Sequence, residues 1–341
     1  MRVSGGSDSS PAERPAYQLL VDLFFRFFLG VLTKLFQIFP IDLSVSLGAG
    51  LGRAWVLVKG PRTGRVRDQL EAAMPEELPG RLDIWSKEVF VHLGRGLAEL
   101  VLLRGRRRGE LLERIEVEGL ENVEAAERSS PSGGLLIVTA HCGNWELACA
   151  KIVAMGIPVS VVYRSLRQRE LNRAFLDLRA NQNNVAGADG IDSSPKPPLE
   201  QIPMGRAGIR LVRAFEAGRK VLVLLDQNAR REEGMFVSFF GRPASTRYGP
   251  LALAGLRGIP VLMAFVRRSP DGRTHRLRIQ PALQLESGVS DDEEVLRRNV
   301  QKVTAAIEQE IRASPGQWIW THRRWRTQPD AAEKSLSQAK E

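Results

Sequence analysis

Val138-Thr139-Ala140-His141-Cys142-Gly143-Asn144-Trp145-Glu146 is the stretch on which the fold turns. The apolar run Leu135–Val138 enters it like a buried strand. Gly143 and Asn144 mark a turn. From Trp145 onward, Glu-Leu-Ala-Cys-Ala-Lys-Ile-Val-Ala is built of good helix formers. His141 therefore stands just past a strand end, and Glu146 stands in the first helical turn. On a continuous helix a five-residue step would turn them apart, because only three- and four-residue steps share a face. A loop removes that constraint. Glu146 is then expected to fold back and accept a hydrogen bond from one imidazole nitrogen, which leaves the other as a base for a hydroxyl. The plainer reading of the same residues is a satisfied buried histidine and a solvated acid at a helix start.

Outward from this stretch the chain reads as alternating strands and helices from Glu116. Leu135–Val138, Val159–Tyr163, Val221–Leu225, Val261–Val266 and Leu277–Ile279 are expected strands. Trp145–Met155, Glu170–Asn181, Ile209–Ala217, Pro250–Leu256 and Glu293–Arg312 are expected helices. This is α/β layering with a mixed, largely parallel sheet flanked by helices. Ala188–Met204, rich in Pro, Ser and Asp, reads as an inserted flexible loop. Before the α/β part, Ile41–Leu57 reads as a helix broken at Gly48, Gly50 and Gly52. Arg81–Arg104 reads as a long helix with Trp85, Val89, Phe90, Leu93, Leu97 and Leu100 in the core.

Tyr17–Phe39 carries six phenylalanines, with Asp22, Arg26, Gly30 and Lys34 recurring at every fourth position. That makes one narrow polar stripe on an otherwise apolar helix. Charges within such a run are costly at a bilayer centre. A helix lying in the membrane interface, or inserted with its stripe against protein, is expected; a buried core helix is the alternative. Five segments result: a disordered tail (1–16), a membrane-associated helix (17–40), a helical part (41–115), the α/β core (116–329) and a flexible tail (330–341).

The 341 residues carry a formal net charge of +10, with 43% hydrophobic and 26% charged residues. The basic balance suggests an anionic partner: a phospholipid surface, a phosphorylated substrate or nucleic acid. Two cysteines and four histidines support neither a disulfide scaffold nor a histidine-rich metal site.

In an open α/β sheet, ligands gather beyond the C-terminal strand ends. Asp226-Gln227-Asn228, Tyr163-Arg164 and Arg267-Arg268 each follow an expected strand. Asp226 also suits a turn or an N-cap. Arg179 has Asp177 close by, which would make it half of a surface ion pair. Phe239-Phe240-Gly241-Arg242-Pro243 would line an apolar slot or cap the core.

Assembled in order, these residues resemble the bacterial lipid A biosynthesis acyltransferases, within the larger acyltransferase group carrying an H-x4-D/E motif. The pieces are His141-Cys-Gly-Asn-Trp-Glu146, Tyr163-Arg164, Leu224-Leu-Asp226-Gln227, Phe239-Phe-Gly-Arg-Pro-Ala244, Gly258-Ile-Pro-Val261 and Pro315-Gly-Gln-Trp-Ile-Trp-Thr-His-Arg-Arg-Trp325. The resemblance covers about Tyr17 to Pro329. It implies a glycerolipid-acyltransferase-like fold behind a membrane-associated N-terminal helix. It implies His141 and Glu146 as the catalytic dyad, with Arg164, Arg179, Asp226, Gln227 and Asn144 binding substrate or in support. The N–H groups of Gly143 and Asn144 would receive the oxyanion. Acyl carrier protein or acyl-CoA would donate the acyl group to a phosphorylated glycolipid, at the cytoplasmic side of the inner membrane, with no metal or other cofactor and no nucleic acid. Cys142 stands where an aromatic or bulky residue is usual, and a covalent acyl-Cys142 route is a rival. A basic nucleic-acid-binding protein and an inactive membrane scaffold are the non-enzymatic rivals.

Overall fold

The computed structural model describes residues 27, 30, 31, 33–165, 169–186, 198–204, 207–288 and 292–330. The expected tails and most of the 17–40 segment lie outside these residues. Among the described residues, no helix is long and apolar enough to cross a membrane.

The centre is a seven-stranded sheet in the order β1-β9-β8-β2-β5-β3-β4. Its strands are β1 (Ile115–Glu118), β2 (Leu135–Thr139), β3 (Val159–Tyr163), β4 (Leu199–Pro203), β5 (Lys220–Leu224), β8 (Val261–Arg268) and β9 (His275–Ala282). Every neighbouring pair is parallel except β8–β9, so the sheet is mixed and largely parallel, as expected. All five β2 residues are buried, the pattern of a strand covered on both faces. A separate hairpin, β6 (Gly234–Phe239) with β7 (Arg242–Arg247), stands beside the sheet.

Three sequence expectations are corrected. Residues 199–203 of the expected loop form β4, paired along β3 from Val159↔Leu199 to Tyr163↔Pro203. Leu199 and Ile202 are buried, and Pro203 is tolerated because β4 is an edge strand. Residues 187–197 lie outside the described part.

Helix α1 (Ile41–Leu57) is continuous through its glycines. It packs against the long helix α3 (Pro79–Leu102), and the glycines are what let the two backbones meet. A Cβ on Gly48 would lie 2.3 Å from Gly94 O, and one on Gly52 2.2 Å from Phe90 O.

Of the expected α3 core residues, Val89 and Phe90 are buried, but Leu93 and Leu97 are exposed. The face between them and the sheet is taken instead by His92, Ala98 and Glu99.

Helix α2 (Thr63–Ala73) joins α1 to α3, and α4 (Arg108–Glu113) leads into β1. Helices α5 (Leu120–Ser129), α6 (Trp145–Ala154), α7 (Arg169–Ala186), α8 (Ala207–Glu216), α9 (Gly249–Leu256) and α10 (Glu293–Ala313) complete the layers. One core cluster joins Val66, Leu70, Val89 and Phe90 of the helical part to Val138 and Val223 of the sheet.

Candidate active site

β2 delivers His141 to the C-terminal edge of the sheet, and α6 begins at once behind it. Asn144 caps α6, its Oδ1 accepting from Leu147 N at 3.2 Å. The turn between them passes through Gly143 at φ +59°, where a Cβ would lie 2.0 Å from Val266 O. Only glycine fits both that backbone and that approach.

The parallel register Thr139↔Leu224 brings the end of β5 beside His141. Asp226 Oδ1 accepts from His141 Nδ1 at 2.8 Å. Its Oδ2 accepts the backbone N–H of His141 at 2.9 Å and Trp318 Nε1 at 2.7 Å. Burial disfavours the charge on Asp226. The imidazole and these three donors outweigh burial and hold its carboxyl down at about 2. An ionised Asp226 fixes the proton on Nδ1 and leaves Nε2 with its lone pair. The side-chain amide of Gln227 sits 3.2 Å from that Nε2.

Glu146 is not on the histidine. Its carboxylate is held in bidentate fashion by buried Arg179, Nε at 3.0 Å and Nη2 at 2.5 Å. The expected Glu146–His141 hydrogen bond is thus replaced by two pairs, Asp226–His141 and Arg179–Glu146. Helix geometry explains the exchange. Glu146 sits in the first turn of α6, on the side that α7 covers, while Asp226 leaves the adjacent strand level with the imidazole. Arg179 is likewise no surface partner of Asp177, which pairs with Arg173 at 3.9 Å. The Arg179 guanidinium lies 5.0 Å from the Trp145 ring and 5.9 Å from that of Tyr163. Trp145 in turn meets the His141 ring edge-on, so the two pairs share one aromatic wall.

Beneath the turn lies a network that the sequence reading passed over. Glu99 of α3 is buried and receives Arg268 through both oxygens, His275 at 2.9 Å and Asn144 Nδ2 at 2.8 Å. Burial alone would raise the Glu99 carboxyl; the charges of His275 and Arg268 hold it well below its usual range. His92, two helical turns away on the same face, donates to Gly143 O at 3.1 Å. Burial and the nearby Arg268 push its imidazole down to about 4, so it is a neutral donor. The signal was present: His92 and Glu99 lie seven residues apart, two polar side chains on one inward face.

Gly143 N is already committed to Gln317 O at 3.0 Å, so it is not the free donor expected of it. The Asn144 N–H makes no hydrogen bond among the described residues. Arg164 follows the last residue of β3 and is exposed.

The C-terminal tryptophans pack rather than project. Trp318 and Trp320 are fully buried against Phe239 and Phe240, which cap the core. Arg324 is buried too, donating to Ser245 O at 2.7 Å and to Thr246 Oγ1. His322 Nε2 accepts from Asn228 N at 3.0 Å, and burial pushes it to about 4. Cys142 is buried, which raises its thiol well above the usual range. A thiol in that state is a poor nucleophile.

An apolar cavity adjoins the site between the sheet and helices α5 and α6. Thr139 and Trp145 line it at the His141 end, Ala148, Ile152 and Leu222 along its length, and Lys220 at the start of β5. From Thr139 back to the level of Lys220 is four residue steps, about 13 Å. Lys220 Nζ is tied to Glu127 and to Gly218 O.

The sequence profile of bacterial lipid A biosynthesis acyltransferases matches residues 13–327. The lipid A biosynthesis palmitoleoyltransferase of Escherichia coli K12 is 26% identical over 312 residues, 91% of this chain and 93% of that protein. The lipid A biosynthesis lauroyltransferase of the same strain is 26% identical over 307 residues, covering 89% and 91%. A phosphatidylinositol mannoside acyltransferase of Mycobacterium tuberculosis is 25% identical over 255 residues, covering 74% and 72%. The chain is an acyltransferase and belongs to the bacterial lipid A biosynthesis acyltransferase family.

Proposed function

We propose that this enzyme moves a fatty acyl chain from an acyl thioester to a hydroxyl of a glycolipid, foremost a lipid A precursor. The observation that carries the mechanism is the Asp226–His141 pair at 2.8 Å, opening beside an apolar cavity. His141 Nε2 takes the proton of the acceptor hydroxyl as its oxygen attacks the thioester carbonyl. Asp226 holds the tautomer and stabilises the imidazolium. The N–H of Asn144, at the start of α6, receives the oxyanion, aided by the helix dipole. Collapse breaks the C–S bond, and the imidazolium returns its proton to the departing thiolate. His141 is the base, and Glu146 acts through Arg179 and Trp145 as a positioning residue. The cavity accepts the acyl chain.

The donor in this reading is acyl carrier protein or acyl-CoA, and the chemistry calls on no cofactor or metal. The acceptor is a phosphorylated glycolipid, and nucleic acid has no part. The enzyme works at the cytoplasmic face of the inner membrane. Supporting that place, α1 exposes Leu43, Leu47, Leu51 and Trp55 at four-residue spacing, a single apolar stripe. Leu93 and Leu97 of its partner α3 are exposed as well.

A second acceptor class, a phosphatidylinositol mannoside, is favoured by the similarity to the mycobacterial enzyme. The test is mass spectrometry of lipids after incubating the protein with labelled acyl-ACP or acyl-CoA and membrane lipid extract. A His141-dependent acylated glycolipid is expected, its mass giving donor chain and acceptor. No change with either donor, while the protein still binds membranes, would leave the scaffold reading.

A further inference from the structure

Most of the described arginines near the site have a carboxylate: Arg179 has Glu146, Arg268 has Glu99 and Arg267 has Glu310. Among those that do not, the side chains of Arg62, Arg65 and Arg323 form no ion pair or hydrogen bond among the described residues, although Arg67, on the same helix as Arg65, is paired with both Asp83 and Glu71.

The three come from opposite ends of the chain, and the fold draws them together. Gln69 of α2 accepts from Arg324 N at 3.1 Å and donates to Trp320 O, which clamps α2 to the 320–324 segment. Arg65 lies one turn before Gln69, on the same face of α2. Arg323 precedes the clamped Arg324. Arg62 ends the turn that leads into α2, with its backbone in the left-handed region at φ +74°. Arg62 and Arg323 are exposed, and Arg65 is half-buried. The charges sense one another: burial, then Arg323, then Arg62 lower the Arg65 guanidinium from its ordinary value. Like charges gathered without a counter-charge cost free energy in the free protein, which a bound anion would relieve.

The place of the cluster gives it a purpose. Arg323 follows His322, whose ring is bonded to Asn228, two residues from Asp226. On the other side, the turn bearing Arg62 follows Trp55, Leu57 and Val58, the exposed end of the apolar stripe. The cluster thus lies between the catalytic edge and the apolar face.

We infer that Arg62, Arg65 and Arg323 form a phosphate-binding site that holds a phosphorylated substrate beside the active site. The assignment rests on the acyl-transfer reading for its substrate but not for the binding itself. Guanidinium groups suit this task, since each offers a planar fork to phosphate oxygens. The phosphate can come from the glycolipid headgroup or from the thioester carrier.

The test uses the full chain and the variant Arg62→Gln/Arg323→Gln, both exposed positions, with Arg67→Gln as control. Binding of inorganic pyrophosphate, read by phosphorus NMR line broadening, needs no turnover. Wild type and the control should bind alike, and the double variant about tenfold or more weaker. In the transfer assay, KM for the phosphorylated lipid should rise about tenfold with the donor KM unchanged if the headgroup is the source. The reverse pattern would assign the carrier phosphate. Equal pyrophosphate binding by wild type and double variant overturns the site. A wild type that binds pyrophosphate through these arginines yet transfers no acyl group would refute the transferase reading alone.

Discussion

Asp226 holds His141 at two points at once, Oδ1 on the ring Nδ1 at 2.8 Å and Oδ2 on the backbone N–H at 2.9 Å. One carboxylate therefore sets both the tautomer of the imidazole and the course of the chain through it. Trp318 keeps that carboxylate from turning. Asp226→Asn should preserve the fold but present an amide to Nδ1. Loss of about 10²–10⁴-fold in kcat is expected, as for removal of a general base. Steady-state kinetics with circular dichroism as the folding control decides it. Near wild-type turnover would remove Asp226 from the mechanism.

Glu146 and Arg179 make the opposite case. Both are buried and each is the other's partner. Glu146→Ala leaves Arg179 an uncompensated buried charge, which costs about 3–5 kcal/mol. Glu146→Gln/Arg179→Met removes both charges and should recover most of that stability. Urea unfolding of the two variants measures that recovery, and turnover of the stable double variant separates a bracing pair, which keeps most of the activity, from a directly catalytic carboxylate, which loses it.

His92 gives the protein a pH dependence. Its imidazole ionises near 6.5 when unfolded but only at about 4 when buried. Between those values the unfolded chain binds the proton and the native one does not. Stability should therefore fall as pH drops from 6.5 to 4, by up to about 1.4 kcal/mol per pH unit from this residue. His322 adds in the same direction. Asp226, held at about 2, loses its contribution only below 3.8, outside this window. His92→Gln keeps a donor for Gly143 O and should flatten the slope in urea melts between pH 4.5 and 7.5. An unchanged slope would show that His92 is not held neutral.

Ala148 lines the apolar cavity between the His141 end and Ile152. Ala148→Phe would block it partway. The transferred chain should shorten, because one methylene in an apolar pocket discriminates by about 10–200-fold. Competition between acyl donors of different length, read by mass spectrometry, is the measurement. The same chain-length profile in wild type and variant would move the acyl chain elsewhere.

How much of this was legible in the sequence depends on range. The strand–turn–helix around His141 was readable because Leu135–Val138 and Trp145–Ala154 are locally consistent and Gly143 punctuates them. Asp226 was placed at a strand end, but its partner was not, since pairing across 85 residues follows from sheet register and not from spacing. Proximity in the chain favoured Glu146 for the same role, and the tertiary packing of α7 overrode it. β4 was hidden by Pro203 and by the prolines just before it in the sequence, which signal a loop, although Pro203 is tolerated at an edge. The glycines of α1 looked like breaks because their value lies in α3. Glu99 and His92 escaped notice within a leucine-rich run, where two inward polar residues count for little until their partners arrive from β8, β9 and the turn at Asn144.

Helix α3 turns Leu93 and Leu97 outward and His92 and Glu99 inward. The helices before β1 are therefore not a detachable preface to the sheet. An α/β portion excised at β1 would keep His141 and Asp226 yet lose the carboxylate shared by Asn144, Arg268 and His275, and with it the underside of the turn between β2 and α6. Grafts and truncations of this chain should be cut outside α3, because the boundary between its helical part and its sheet runs through the middle of a side-chain network.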